Sequence, residues 1–355
     1  MVSTLKEEPK VFYPTIRSTP LKVLDECRRK FMFEYRMGLK PRGSYSSPLG
    51  VGEIYHIIQA CQLRGENRSQ AFRVASQFVA ETHSNLVAKA DPRTGYLPGG
   101  KPLESVVEQL ERDHQVAKAM ACYVWDYHPF NLQDFRVLSV ERLIEVRIKG
   151  VKQPIRVKAD LLLVRGEEPP YEVWIVDHKT TGLSPVLKTQ VYPFDVQPRL
   201  YRLGLHVWLN SKRSPLDGPL GKKATVAGCI HSVIQRPTIR LKQSETFDDY
   251  LGRVADWYKD KENESPGAPP YLRSQVRFHE ALMTPELMAR LKYGSRMSRI
   301  DLDPDVFWRN ESACVGVGKS TCPFLPLCRT ASVAWPNMIE ADFEISHRDV
   351  DETPD

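Results

Sequence analysis

The stretch Glu172–Lys179, Glu-Val-Trp-Ile-Val-Asp-His-Lys, constrains this chain more than any other. Val173–Val176 are all β-branched or aromatic, which predicts a buried strand. The apolar run stops at Asp177, and Thr180-Thr181-Gly182 ends the strand. Residues two apart on a strand point the same way, so Asp177 and Lys179 share a face at the strand end. A carboxylate and an ammonium there can hold a divalent metal beside a polarised water. The same pair can also be a plain solvated ion pair.

The preceding run, Ile155–Val164, reads as a second strand with Asp160 inside it. An unpaired carboxylate in an apolar strand costs several kcal/mol, so Asp160 needs a partner. A metal ion is one; a backbone N–H or an arginine is another. Arg165–Tyr171 contains Gly and Pro and predicts a hairpin that brings Asp160 near Asp177. Phe135–Lys149 is strand-like; either of its Glu141 and Glu145 can be an additional site carboxylate, and a strand face paired to Arg142, Arg147 or Arg156 is the preferred reading.

Asp160 followed by Asp177-His178-Lys179 resembles the metal-binding core of the PD-(D/E)XK nucleases. More narrowly it resembles the RecB/AddB branch, whose motif continues with Gln-x-x-x-Tyr on the next helix. This chain has Gln197-Pro-Arg-Leu-Tyr201 there, and Gly52-Glu-Ile-Tyr-His56 where the branch has Gly-x-x-x-His on an early helix. The resemblance implies an α/β fold: a restriction-endonuclease-like core with a mixed central sheet flanked by helices. It implies Asp160, Asp177 and Lys179 as catalytic residues. His56, Asp160, Asp177 and the His178 carbonyl would hold Mg²⁺ or Mn²⁺, and Gln197 and Tyr201 would position the DNA strand. Gly52 would let the backbone of the His56 helix approach another element closely.

Three of the seven cysteines crowd near the end: Cys314, Cys322 and Cys328. The ending Cys322-Pro-Phe-Leu-Pro-Leu-Cys328 resembles the cluster motif of the AddB-type and CRISPR-associated nucleases. There one early and three late cysteines hold a [4Fe–4S] cluster. Cys27, on a helix expected over Leu21–Lys40, supplies the early one here. Zinc is the competing metal for four thiolates. The gap of seven residues between Cys314 and Cys322 departs from the usual two. Arg28 stands where the family has proline, which is expected to extend the helix slightly. Gly316 and Gly318-Lys319-Ser320 superficially suggest a phosphate loop, but Ala313 occupies the place of its first glycine. Cys61, Cys122 and Cys229 read as core residues.

The chain of 355 residues carries a net charge of +6, which permits a nucleic-acid partner without requiring one. No run is long and apolar enough for a membrane helix, and Met1–Lys10 has no apolar core of a secretory signal. A cytoplasmic protein is therefore expected. Residues 1–18 are expected to be flexible, 19–335 to form the nuclease domain with both ends joined at a four-cysteine cluster, and 336–355 to be a disordered acidic tail. A helical segment is expected over Phe278–Leu291.

The function expected from the resemblance is a divalent-metal-dependent DNA exonuclease. Its substrate would be single-stranded DNA or DNA ends in recombination or repair, with a helicase or recombination protein as partner. The alternative is a non-catalytic DNA-binding or assembly subunit that retains the nuclease fold.

Overall fold

A computed structural model describes residues 15–42, 45–98, 100–211, 224–240, 242–264, 267–278, 284–314 and 321–346. The first fourteen residues, the Gly316–Ser320 stretch and the last nine residues lie outside these. Where one domain is expected over 19–335, the chain groups into two compact units. One comprises residues 45–142 and 158–280; the other comprises residues 1–44, 143–157 and 281–355.

Five strands form one mixed sheet: β1 (Arg136–Val146), β2 (Ile155–Arg165), β3 (Tyr171–Thr181), β4 (Ala224–Gln235) and β5 (Tyr271–Arg277). They lie in the order β1-β2-β3-β4-β5. The short connection after Arg165 makes β2 and β3 antiparallel, β4 runs parallel to β3, and β5 is antiparallel to β4. A parallel neighbour requires a crossover of a dozen residues or more. Helices α4 (Pro185–Val191) and α5 (Val196–Leu209) lie within that crossover. The α/β fold with a mixed central sheet is thus the one observed. The sheet residues 143–146 and 155–157 group with the smaller unit.

Helices α1 (Ser47–Leu63), α2 (Arg68–Lys89), α3 (Leu103–Tyr127) and α6 (Phe247–Glu264) precede and follow these strands. They share a core built on Ile54, Ile58, Ala117, Met120, Tyr250 and Tyr258, with Ile234 and Tyr271 of the sheet. Trp174, Val176, Leu161, Leu163 and Ile230 form a second cluster on the same sheet face as Ile234 and pack on Leu63 at the end of α1. Gly52 of α1 sits so near β3 that a Cβ there would meet Thr180 Oγ1 at 3.2 Å. The close approach expected of this glycine is present.

In the smaller unit the helix expected over Leu21–Lys40 is broken. Ser18–Glu26 and Arg28–Phe31 are helical, while Cys27 between them is extended (φ −160°, ψ 113°). Arg28 opens the second helix rather than extending the first, at the position where proline is tolerated best. Met32–Arg36 then forms a π-helical turn. Arg36 is fully buried and donates to the carbonyls of Met297 and Ile300 at 2.8 and 2.7 Å. Phe31, Phe33, Phe307, Phe324, Leu327 and Trp335 build the core.

Two further expectations are corrected. The tail expected to be disordered from 336 is folded up to Ser346. Trp335–Asp342 is helical, and Phe343–Ile345 pairs antiparallel with Leu39–Pro41. Trp335 and Phe343 anchor it by burial. The helix expected over Phe278–Leu291 begins only at Pro285 and runs to Met297, capped by the Thr284 hydroxyl. The residues just before Phe278 form β5 instead.

Candidate active site

The β2–β3 ladder runs from Arg165↔Glu172 to Leu161↔Val176 and goes no further. Beyond it the His178 N–H donates to the Asp160 carboxylate at 2.7 Å instead of to a strand carbonyl. The two strands part at the point where their carboxylates begin. Asp160 is thus partnered by backbone, one of the alternatives its burial demanded. His56 on α1 approaches the same carboxylate, with Nδ1 3.4 Å from Oδ2.

Glu141 on β1 completes this corner. Among the described residues, one ligand atom each of His56, Glu141 and Asp160 lies within 4.8 Å of the others, close enough to share a metal ion. Glu141 has a positive φ of 55°, a conformation rare for a non-glycine residue and a way to re-aim a side chain from a strand. Its carboxylate also meets Lys158 Nζ at 2.9 Å. The salt-bridge reading therefore holds for Glu145, which pairs with Arg156 at 2.9 Å, and is incomplete for Glu141.

Asp177 is fully buried. Its Oδ1 accepts from Lys179 Nζ at 2.7 Å, from Gln197 Nε2 at 3.3 Å and from the Tyr201 hydroxyl at 3.4 Å. Gln197 also donates to the Tyr201 hydroxyl at 2.7 Å. The Asp195 side chain caps α5 by accepting from the Gln197 N–H, which fixes where both side chains start. Gln197 and Tyr201, the residues expected to position the DNA strand, both hydrogen-bond the buried carboxylate. Asp177 Oδ2 has no hydrogen-bond partner. The Asp177 carboxylate stands outside the His56–Glu141–Asp160 group and is coupled to it electrostatically through Asp160.

Charges in the site oppose one another. Burial alone would raise Asp160, but the charge and hydrogen bond of His56, with Lys179, hold it well below the usual carboxylate range. Burial pushes Asp177 up, against the pull of Lys179. Desolvation works against His56 and Lys179 too, and the neighbouring carboxylates outweigh it, raising both. Burial brings His178 down to about 3, so its imidazole is neutral. Neither nitrogen of that ring has a partner, and it lies edge-on to His56 with centroids 6.2 Å apart.

The four predicted thiols, all among the described residues, lie in the smaller unit, and no three of their sulfurs come within 4.8 Å of one another. Cys27 Sγ accepts from the Asn310 N–H at 3.4 Å, and Cys314 Sγ lies 3.5 Å from the Asn310 carbonyl. The Cys322 N–H donates to the Cys314 carbonyl at 3.1 Å. Burial first, and then the neighbouring thiols Cys314, Cys322 and Cys27, push Cys328 up to about 11 despite Arg29. Cys61, Cys122 and Cys229 are buried, as expected of core residues.

The model of the PD-(D/E)XK nuclease superfamily matches residues 18–329, so the chain belongs to that superfamily. None of the curated proteins matches it in sequence. Superfamily members are mostly metal-dependent nucleases acting on nucleic acid. Among the described residues no helix is long and apolar enough to cross a membrane.

Glu141, open in the sequence between a site carboxylate and a strand-face ion pair, is directed to the site by its backbone conformation. One residue escapes sequence reasoning. His231 sits within the apolar strand β4, where nothing in the sequence separates it from a core residue.

Proposed function

We propose that this chain is a divalent-metal-dependent deoxyribonuclease of the RecB/AddB kind, an exonuclease on single strands or DNA ends in recombination or repair. The observation that carries this reading is the meeting of Asp160, His56 and Glu141 in one donor group beside Asp177 and Lys179. The donor set fits a hard cation: two carboxylates and an imidazole are in place, and the buried Asp177 Oδ2 lacks a partner. Mg²⁺ or Mn²⁺ would be held by His56, Glu141 and Asp160, with Asp177 and the His178 carbonyl as the further donors that the resemblance implies. When bound, the ion lowers the pKa of the attacking water and offsets charge on the scissile phosphate.

The chain's own groups do the rest. Lys179 stays an ammonium, because Asp177 and Asp160 hold its proton, and it faces the charge that develops on the phosphate oxygens. Gln197 and Tyr201 fix Asp177 Oδ1, leaving Oδ2 as the open acceptor. The water oxygen becomes bonded to phosphorus, the ester oxygen departs, and one proton is passed from water to the leaving side.

Thiolate sulfur is a soft ligand, and burial, which opposes ionisation of Cys328, is offset where a metal binds. We assign Cys27, Cys314, Cys322 and Cys328 to a structural [4Fe–4S] cluster, with zinc as the competing metal. In this reading the cluster clips the two ends of a nuclease domain over residues 19–335. Anaerobically purified protein is expected to be brown, with about four irons per chain. Colourless protein with one zinc refutes the cluster and keeps the clip.

The function is tested with end-labelled single-stranded DNA blocked at the 5′ or the 3′ end, in Mg²⁺ or Mn²⁺. Metal-dependent loss of label from one end only is the expected result. Binding without cleavage under every condition supports the non-catalytic alternative instead.

A further inference from the structure

Asp177 Oδ1 is surrounded by three donors, whereas Oδ2 is buried without one. His231 faces it from the neighbouring strand. The parallel register pairs Asp177 with His231, so both side chains leave the same face of the sheet. His231 Nε2 stands 3.9 Å from Asp177 Oδ2, beyond hydrogen-bond reach. The ring is only 2% exposed, and its Nδ1 has no partner either. It is clamped flat on Tyr192, with centroids 3.7 Å apart and planes 12° apart. The Tyr192 hydroxyl is tied in turn to Cys229 Sγ at 3.2 Å, two residues back along β4. Buried positions on β4 are otherwise filled by alanine, valine, glycine, isoleucine, the Cys229 thiol and Ser232. The ring is thus fixed with Nε2 3.9 Å from an orphaned carboxylate oxygen.

We propose that His231 is a positioning residue for Asp177: its Nε2 holds Oδ2 in the orientation that the metal-loaded site requires. The inference rests on the nuclease reading above and adds to it a residue that acts through Asp177 rather than on the substrate. Outer partners of metal-binding groups typically contribute about 10- to 100-fold in metal affinity or activity.

The test compares two replacements by Mn²⁺ titration calorimetry and by steady-state cleavage. His231→Phe keeps the ring on Tyr192 and loses the N–H; His231→Gln loses the ring and places an amide N–H near the site of Nε2. For a positioning role, His231→Phe weakens Mn²⁺ binding and kcat by about tenfold with KM for DNA unchanged. His231→Gln then stays within about threefold of the parent, and His231→Phe has no further effect on Mn²⁺ binding in an Asp177→Asn background. The reverse order, with His231→Phe like the parent and His231→Gln impaired, overturns the inference and makes His231 a stacking residue. Should His231→Phe fail to fold, His231→Gln is set against His231→Asn, whose shorter amide cannot reach Oδ2; equal Mn²⁺ affinities overturn it. If Asp177→Ala leaves Mn²⁺ binding unchanged, the site reading falls and takes this inference with it. If Asp177→Ala weakens binding and His231→Phe does not, this inference alone falls.

Discussion

The carboxylate group and the four cysteines proposed as a second metal site are built by opposite means. The carboxylates sit on adjacent strands: Asp160 accepts from a backbone group only 18 positions away. The thiols come from the two ends of the chain: Cys27 accepts from a backbone group 283 positions away. The first set stands on two strands of eleven residues and a helix of seventeen. The second set rests on helices of four and five residues, Arg28–Phe31, Glu311–Cys314 and Leu325–Arg329, too short to be stable alone. The contrast implies that a metal at the carboxylates is for chemistry, whereas a metal at the thiols is for holding the fold.

The sharpest way to break that contrast is at β3. Asp177→Ala is expected to reduce cleavage by more than about a thousandfold while DNA binding and the circular dichroism spectrum persist. Lys179→Ala should do the same with Mn²⁺ still bound. Cleavage like the parent's in either variant removes the catalytic assignment.

Cys328→Ala should act in the opposite sense, on integrity first. Loss of bound metal is expected to make segments 1–44 and 281–355 sensitive to trypsin and to lower Tm, since metal affinity there is folding free energy. Undiminished Tm together with retained metal in Cys27→Ala would show that the early cysteine is no ligand.

Smaller effects sharpen the carboxylate side. His56→Ala should weaken Mn²⁺ binding and activity together by about 10- to 100-fold, with the fold intact by circular dichroism. Activity unchanged over a range of Mn²⁺ concentrations would make His56 a packing residue.

The smallest expected effect is a pH dependence confined to the thiol side. Cys328 is raised to about 11 when folded without metal. As pH rises past the ordinary thiol value of about 8.5, the unfolded chain loses its proton while the folded chain keeps it. Stability contributed by this thiol is therefore complete below about 8.5 and is lost towards 11 in metal-free protein. Denaturant titrations across that range should show the decline only after metal removal; the same decline in loaded protein would mean that Cys328 is not a ligand.

Legibility from sequence follows the range of the forces involved. β3 and β2 were readable because β-branched runs and a short connection are local signals, and the Asp and Lys that interrupt them stand out. The break at Cys27 was not, because nothing in Asp-Glu-Cys-Arg-Arg disfavours a helix locally; the extended Cys27 accepts a distant hydrogen bond from Asn310. β5 was missed because Tyr-Leu-Arg-Ser-Gln-Val-Arg is polar, as suits a strand at a sheet edge. Glu141 needed a backbone angle to decide between its two readings, and His231 needed the register of β3 against β4. Gln197 and Tyr201 were found as residues, but their direction, towards Asp177, emerges only from the placement of α5.

The pairing of Leu39–Pro41 with Phe343–Ile345 sets an order of events during synthesis. At about 5–20 residues per second, some 15–60 s separate the emergence of the first partners from that of the last. Through that interval Phe31, Met32 and Phe33 have none of their C-terminal neighbours Phe324, Leu327 and Trp335. That apolar surface of the nascent N-terminal segment stays uncovered until residues 324–335 have emerged.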